Sequence, residues 1–304
     1  MGSVLTTEGL CKQYKKHKAV CEVNMHIDRG DIYGFVGENG SGKTTVIRLI
    51  TGLIFPNSGS FTLFGADSRS GQIGQARSRI GAIVESPSIY KNMSAYDNLK
   101  TQCAICGAKE EKIRSVLQDV GLEELYDDKK QAGDFSLGMR QRLGIAMALL
   151  SEPEFLILDE PMNGLDPAGI VGIRELILKL NRQRGITFLI SSHILSELAL
   201  IATKYGIISH GRLIQEITAQ QLQAECTHIT CIRVNEPEKL LQLAKHSLSN
   251  TWEATADGIK ILGALELNPL LSAILAENIQ ILSIHCSQTS LEDYYLSLIG
   301  GGKQ

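Results

Sequence analysis

Three groups of residues in this sequence have the types and spacing to do chemistry. The first is "GENGSGKT", Gly37–Thr44, which fits the phosphate-binding pattern GxxxxGK[ST] between an apolar run and a helical one. Gly37, Gly40 and Gly42, spaced by Glu38, Asn39 and Ser41, let successive backbone N–H groups converge on phosphate oxygens. The helix that follows adds the partial positive charge of its N-terminus. In such a loop Lys43 bridges the β- and γ-phosphates, Thr44 offers its hydroxyl to Mg²⁺, and Thr45 continues the first turn. The ligand this implies is a nucleoside triphosphate such as ATP, with Mg²⁺.

The second group is "FLILDEP", four apolar residues followed by Asp159 and Glu160. Adjacent acids at the end of a buried strand point differently, so their roles divide. Asp159 is placed to hold the magnesium through water, and Glu160 to polarise an attacking water as general base. The third is "IGAIVESP", where a short apolar run stops at the carboxylate of Glu85.

The elements that position these groups follow from periodicity. "GDIYGFVGENGSG" reads as a strand and a glycine-rich loop, and "KTTVIRLITGL" as a helix with Gly52 close to its end. From about Ser88 to Leu150 helical patterns dominate, and Ser94 with Asp97 is a capping box for the first of them. Strands return as "FLILDE", "TFLISS" and "YGIIS", alternating with helices, which predicts an α/β fold with a mostly parallel sheet covered on both faces. Residues 1–218 form this nucleotide-binding domain, with its helical subdomain at about 88–150. After a polar connector, "AQQLQAEC", residues 219–304 read as a small α+β module of order βαββαβ, ferredoxin-like, with a hairpin at Asp257 and Gly258 and a terminal helix.

Composition narrows the partners. The 304 residues carry 30 basic and 33 acidic side chains, a net charge of −3, and no basic block argues for nucleic acid. No apolar run approaches the roughly 18 residues needed to cross a bilayer, and the first residues lack a signal-peptide core, so a cytosolic chain is expected. Any membrane role comes through a partner. Seven scattered cysteines, among them Cys103, Cys106 and Cys226, are expected to be reduced and structural, because the lone CxxC has no second pair to complete a zinc site.

"FSLGMRQRLGIAMALLSEP" directly before "FLILDEPMNGLDP" resembles the signature helix, Walker B strand and D-loop of ABC-type ATPases, a P-loop fold with a mixed sheet core and a helical subdomain. The resemblance covers about residues 3 to 217 and rests on five motifs in the family's order. It implies that Tyr14 stacks on adenine and that Ser136 and Gly138 cap the γ-phosphate of a nucleotide held by another subunit. It further implies that Asn163–Asp166 form the D-loop, with Asp166 at the nucleotide interface, and that His193 is the switch histidine on the γ-phosphate. Leu137 and Met139 depart from the common LSGGQ form.

The same resemblance implies a pair of nucleotide domains, a homodimer or a paired related chain, with ATP at the interface. It also implies integral membrane permeases that dock on the helical segment, which places the chain peripherally on the inner face of the cell membrane. Most of the family has glutamine where this chain has Glu85, the Q-loop residue that contacts magnesium or the attacking water. The glutamate resembles the "E-loop" of lantibiotic-immunity ATPases, and the chain is similar to ATPases of exporters for lantibiotics and bacitracin. A general multidrug, ion or lipid-linked exporter, or a non-transport mechanochemical ATPase, is the alternative.

Overall fold

The unbroken apolar run Ile32–Val36 is a strand buried at every position. It lies inside a six-stranded sheet in a computed structural model that describes residues 2–225, 228–247, 251–263, 267–288 and 291–300. The chain divides into two units, Met1–Ala219 and Gln220–Gln304. Across the sheet of the first unit the strands run Arg212–Thr218, Lys204–Ser209, Ile32–Val36, Thr187–Ser192, Phe155–Asp159 and Ile80–Ile83. All neighbours are parallel except the outer pair, Lys204–Ser209 with Arg212–Thr218. Strands Phe155–Asp159 and Thr187–Ser192 are buried along their whole length, as strands covered on both faces must be.

A second, antiparallel sheet was not foreseen from the sequence. Ser3–Tyr14 pairs with His17–Val23, His26–Asp28 and Ser58–Leu63, and Ala66–Asp67 extends it. Its strands alternate imperfectly because register shifts interrupt the pairing, so the period-2 signal is weak. The helix Lys43–Thr51 sends Val46, Ile47, Leu49 and Ile50 into one apolar cluster. In it they meet Leu5, Leu10, Met25 and Phe61 of the antiparallel sheet and Phe35, Phe155 and Leu189 of the parallel one. The helix ends at Gly52, whose left-handed φ of 84° lets its N–H return to the carbonyls of Arg48 and Leu49.

Between Ser88 and Leu150 the chain is helical, with Ala95–Cys106, Lys112–Asp119 and Leu137–Leu149 as its main helices. Ser94 caps the first by accepting from the N–H of Asp97. The helix Leu137–Leu149 packs on the strand Ile80–Ile83 and on the helices Ala95–Cys106, Lys112–Asp119 and Pro167–Arg184.

In the second unit, strands His228–Val234, Thr251–Thr255, Gly258–Leu262 and Ile281–Gln288 make an antiparallel sheet with His228–Val234 and Gly258–Leu262 in the centre. Helices Pro237–Ser247 and Leu267–Ala276 supply Leu240, Ala244, Leu270 and Ile274 to the core formed with Ile232, Ile259 and Ile261. That strand order and helix placement are ferredoxin-like. Two readings need correction. The segment read as a connector is the helix Ala219–Glu225, in keeping with the high helix propensity of Ala, Gln, Leu and Glu; Cys226 lies outside the described residues. The hairpin turns at Ala256 and Asp257, with Thr255 opposite Gly258. Gly258 is already in the strand, paired with Arg233 and Thr255, and a Cβ there would stand 1.9 Å from the carbonyl oxygen of Ile232.

A half-buried polar knot ties the two sheets of the first unit. Glu216 Oε1 accepts from Tyr33 Oη at 2.8 Å and from the His26 N–H at 2.8 Å, while Lys204 Nζ lies 3.2 Å from Glu216 Oε2 and donates to the His26 carbonyl at 2.7 Å. Burial, with the charge of Glu216 beside it, pushes the Tyr33 phenol well above its ordinary range, so it stays a donor. Tyr33→Phe removes one donor from a carboxylate that keeps two others, and is expected to cost about 1.5 kcal/mol in urea denaturation. A loss below about 0.5 kcal/mol would show that the knot holds without that bond.

Candidate functional site

The loop Gly37–Thr44 joins the strand Ile32–Val36 to the helix Lys43–Thr51. Its shape demands two of its glycines. A Cβ at Gly37 would stand 2.4 Å from the Ile208 carbonyl oxygen, and one at Gly42, where φ is 111°, 2.6 Å from that of Ala19. No side chain caps the helix N-terminus. Lys43 Nζ is folded beneath the loop, donating to the carbonyls of Gly37 at 2.6 Å and Glu38 at 3.2 Å, and lies 3.2 Å from Glu160 Oε1. Ser41 Oγ is buried without a hydrogen-bond partner. An uncapped helix start, a buried cation, an orphan hydroxyl and a loop with no room for side chains at Gly37 and Gly42 are what a polyphosphate with a divalent cation requires, so the residues present fit the nucleotide.

Glu160 follows the strand Phe155–Asp159, and His193 follows the adjacent strand Thr187–Ser192. His193 Nδ1 is 2.7 Å from Glu160 Oε2, and with the carboxylate accepting, that nitrogen carries the hydrogen. Glu160 thus lies between an ammonium and an imidazole, in a left-handed backbone conformation with φ 51°. Ser191, which the sequence reading missed, organises both acids. Its hydroxyl donates to Asp159 Oδ1 at 2.5 Å and accepts from the Glu160 N–H at 2.9 Å. A serine two residues before a predicted switch histidine was the available signal.

A cavity of about 350 Å³ gathers Tyr14, Asn39, Gly40, Gly42, Lys43, Thr44, Thr45 and Glu160, with His17 and Ala19. Tyr14 is 41% exposed at the edge of the cavity, with the Lys12 ammonium 5.4 Å from its ring centroid. His17 also went unmarked: it pairs opposite Tyr14 across a turn at Lys15 and Lys16, residues that give no hairpin signal in sequence. Gly37, Glu38 and Ser41 shape the loop behind the cavity, and Asp159, 2% exposed, stands behind Glu160.

Other predicted residues lie elsewhere. Ser136 caps the helix Leu137–Leu149 by accepting from the Met139 N–H at 3.2 Å, and Asp166 caps Pro167–Arg184 by accepting from the Gly169 N–H at 3.1 Å. Gly138 faces Leu165, and Leu137 lies against Gly164, so the two loops form one ridge. None of Ser136, Gly138 and Asp166 lines the cavity. Glu85, φ 66°, points to Arg48 in an ion pair and does not line it either. Among the described residues no group of three or more His, Cys, Asp or Glu is placed to hold a metal, and burial pushes the Cys103 thiol up. A larger cavity, about 670 Å³, runs along the strand Ile80–Ile83 and the helix Leu137–Leu149 and holds none of the phosphate-binding residues.

Comparison with known proteins agrees with this geometry. The model of the ABC transporter family matches residues 20–163. The bacitracin transport ATP-binding protein BcrA of Bacillus licheniformis is 44% identical over 99% of both chains. The lantibiotic transport ATP-binding protein SrtF of Streptococcus pyogenes is 43% identical over 70% of this chain and 90% of its own. Among solved structures, cbiO1 of Clostridium perfringens, part of the ABC transporter complex cbiONQ, superposes with a TM-score of 0.66 at 27% identity, covering 82% of this chain and 96% of that one.

Because Ser191 holds Asp159 and the Glu160 backbone at once, Ser191→Ala is expected to slow hydrolysis of bound nucleotide about ten-fold, the worth of roughly one buried hydrogen bond to a charged group. Single-turnover kinetics would check this, and an unchanged rate would remove Ser191 from the site.

Proposed function

This chain belongs to the ABC transporter family as an ATP-binding, ATP-hydrolysing subunit, and we propose that it powers a bacterial exporter that removes a peptide antibiotic, of the lantibiotic or bacitracin type, through separate permeases. The observation that carries the catalytic part is the placement of Glu160 against Lys43 and His193 at one mouth of a phosphate cradle. The full-length similarity to a bacitracin transport protein supports the cargo.

In this reading the loop N–H groups and Lys43 bind the β- and γ-phosphates, Tyr14 stacks on adenine, and Thr44 with Asp159 holds Mg²⁺, which supplies charge neutralisation on the transferring phosphoryl group. Glu160 takes the proton of the attacking water, and His193 orients Glu160 and contacts the γ-phosphate. Phosphate oxygens replace the carbonyls of Gly37 and Glu38 as partners of Lys43. The ridge of Ser136, Gly138 and Asp166 stands outside the cavity, which supports its use on the nucleotide of a second subunit in a head-to-tail homodimer or paired domain. Two nucleotides then close the pair, and hydrolysis opens it. The second unit, residues 219–304 as read from sequence, is an accessory module without a catalytic part.

The larger cavity is the seat for the permeases. Its lining is uncharged, with Leu53, Val84, Pro87 and Met147 around the small residues Gly81, Ala82, Gly144 and Ala148. Such a floor admits the apolar face of a cytoplasmic helix at close range. Among the described residues no helix is long and apolar enough to cross a membrane, and docking of this kind places the subunit on the inner face of the membrane.

Two variants test the reading. Glu160→Gln is expected to keep nucleotide binding, to lose about 10²-fold or more in hydrolysis, and to abolish protection against bacitracin and lantibiotics in cells that co-express the permeases. Full protection in that variant would sink ATP-driven export. Met147→Glu places a charge on the apolar floor and is expected to reduce co-purification with the permeases about ten-fold or more. Undiminished co-purification would locate the permease contact elsewhere.

A further inference from the structure

Thr44 and Arg48 are four residues apart on the helix Lys43–Thr51, so their side chains share one face, about one turn apart. Thr44 lines the phosphate cavity, and Arg48 Nη2 holds the carboxylate of Glu85 through Oε1. Glu85 adopts φ 66°, a conformation that costs a non-glycine residue energy and persists only where something holds it. Its neighbours Val84, Ser86, Pro87 and Ser88 line the larger cavity, while Glu85 is turned out of that cavity and toward the helix. One short segment therefore has the partner groove on one side and the phosphate-binding helix on the other.

We propose that Arg48 is a positioning residue that holds the Glu85 carboxylate off the magnesium seat beside Thr44 and yields it when the segment 84–88 shifts. The proposal rests on the reading of the cavity as a Mg²⁺–nucleotide site. Two cations one helical turn apart compete for one carboxylate. An amide at position 85 would accept from Arg48 without charge attraction, so this competition belongs to the acid that stands here. The pair is open to water, with side chains 37% and 63% exposed, and an ion pair of that kind shifts an equilibrium by a factor of only about two to five. That is strong enough to bias the carboxylate and weak enough for a divalent cation to take it over.

The test is the magnesium dependence of binding of a fluorescent ATP analogue to the full chain, followed by anisotropy without reference to turnover. Arg48→Met, with Arg48→Gln as a second charge-removing variant, is expected to lower the half-saturating magnesium concentration about two- to five-fold. Arg48→Lys is expected to return it most of the way to the wild-type value. In a Glu85→Gln background Arg48→Met is expected to have no effect. An unchanged magnesium requirement in both charge-removing variants would overturn the proposal. So would an equal fall in both backgrounds, which would mean that Arg48 acts merely as a positive charge near the metal. Absence of magnesium-dependent nucleotide binding in the wild type would overturn the site reading itself, which separates the two failures.

Discussion

A buried ammonium governs this fold. Lys43, 5% exposed, cannot be left unpaired away from water, and its compensation comes from three groups supplied by separate parts of the chain: the carbonyls of Gly37 and Glu38 and the carboxylate of Glu160. Meeting those partners fixes where two strand ends must be. Ile32–Val36 delivers the loop and Phe155–Asp159 delivers the acid, with Thr187–Ser192 between them carrying His193. All three run parallel, so their C-terminal ends open on one edge, the place where open α/β sheets bind ligands. The antiparallel sheet serves the same constraint from outside. It closes over the apolar side of the helix Lys43–Thr51, so that the helix N-terminus is presented from a rigid seat.

What could be read from the sequence divides along that line. The loop Gly37–Thr44 and the pair Asp159 and Glu160 were legible because their chemistry demands particular residue types at short spacing, and the buried strands before them are unbroken apolar runs. His193 and Tyr14 were legible only through family resemblance, since a histidine after a strand and a tyrosine before a turn are ordinary residues alone. Ser191 was missed because a buried serine that bonds two acids 31 and 32 residues away leaves no local pattern. The same holds for Arg48, whose partner lies 37 residues on. The antiparallel sheet was obscured by register shifts, and Glu216, which ties that sheet to the parallel one, reads in sequence as a surface acid.

In the second unit a correct motif came with a displaced turn. Asp257 and Gly258 do mark a hairpin, but the glycine is there for the close approach of the Ile232 carbonyl rather than for the turn. A dipeptide signal reports that glycine is needed nearby. It does not distinguish a need for left-handed backbone from a need for an absent side chain, and only the neighbouring strand separates the two.

Glu85 and Glu160 carry the same logic to the site. Each stands just past the end of a parallel strand, and each has a left-handed backbone, φ 66° and 51°, where glycine would be comfortable. The strain is of order 1–2 kcal/mol at each position. A glycine would relieve it and remove the carboxylate, so the conformation is tolerated for the direction it imposes on the acid. At Glu160 the opposing forces are internal: Ser191 fixes the backbone, and Lys43 and His193 hold the oxygens, which leaves the acid one orientation. At Glu85 Arg48 supplies a single exposed partner. The same backbone device therefore yields a carboxylate clamped by two buried or half-buried partners at Glu160, and at Glu85 one held by a solvent-exposed ion pair on the segment that borders the larger cavity.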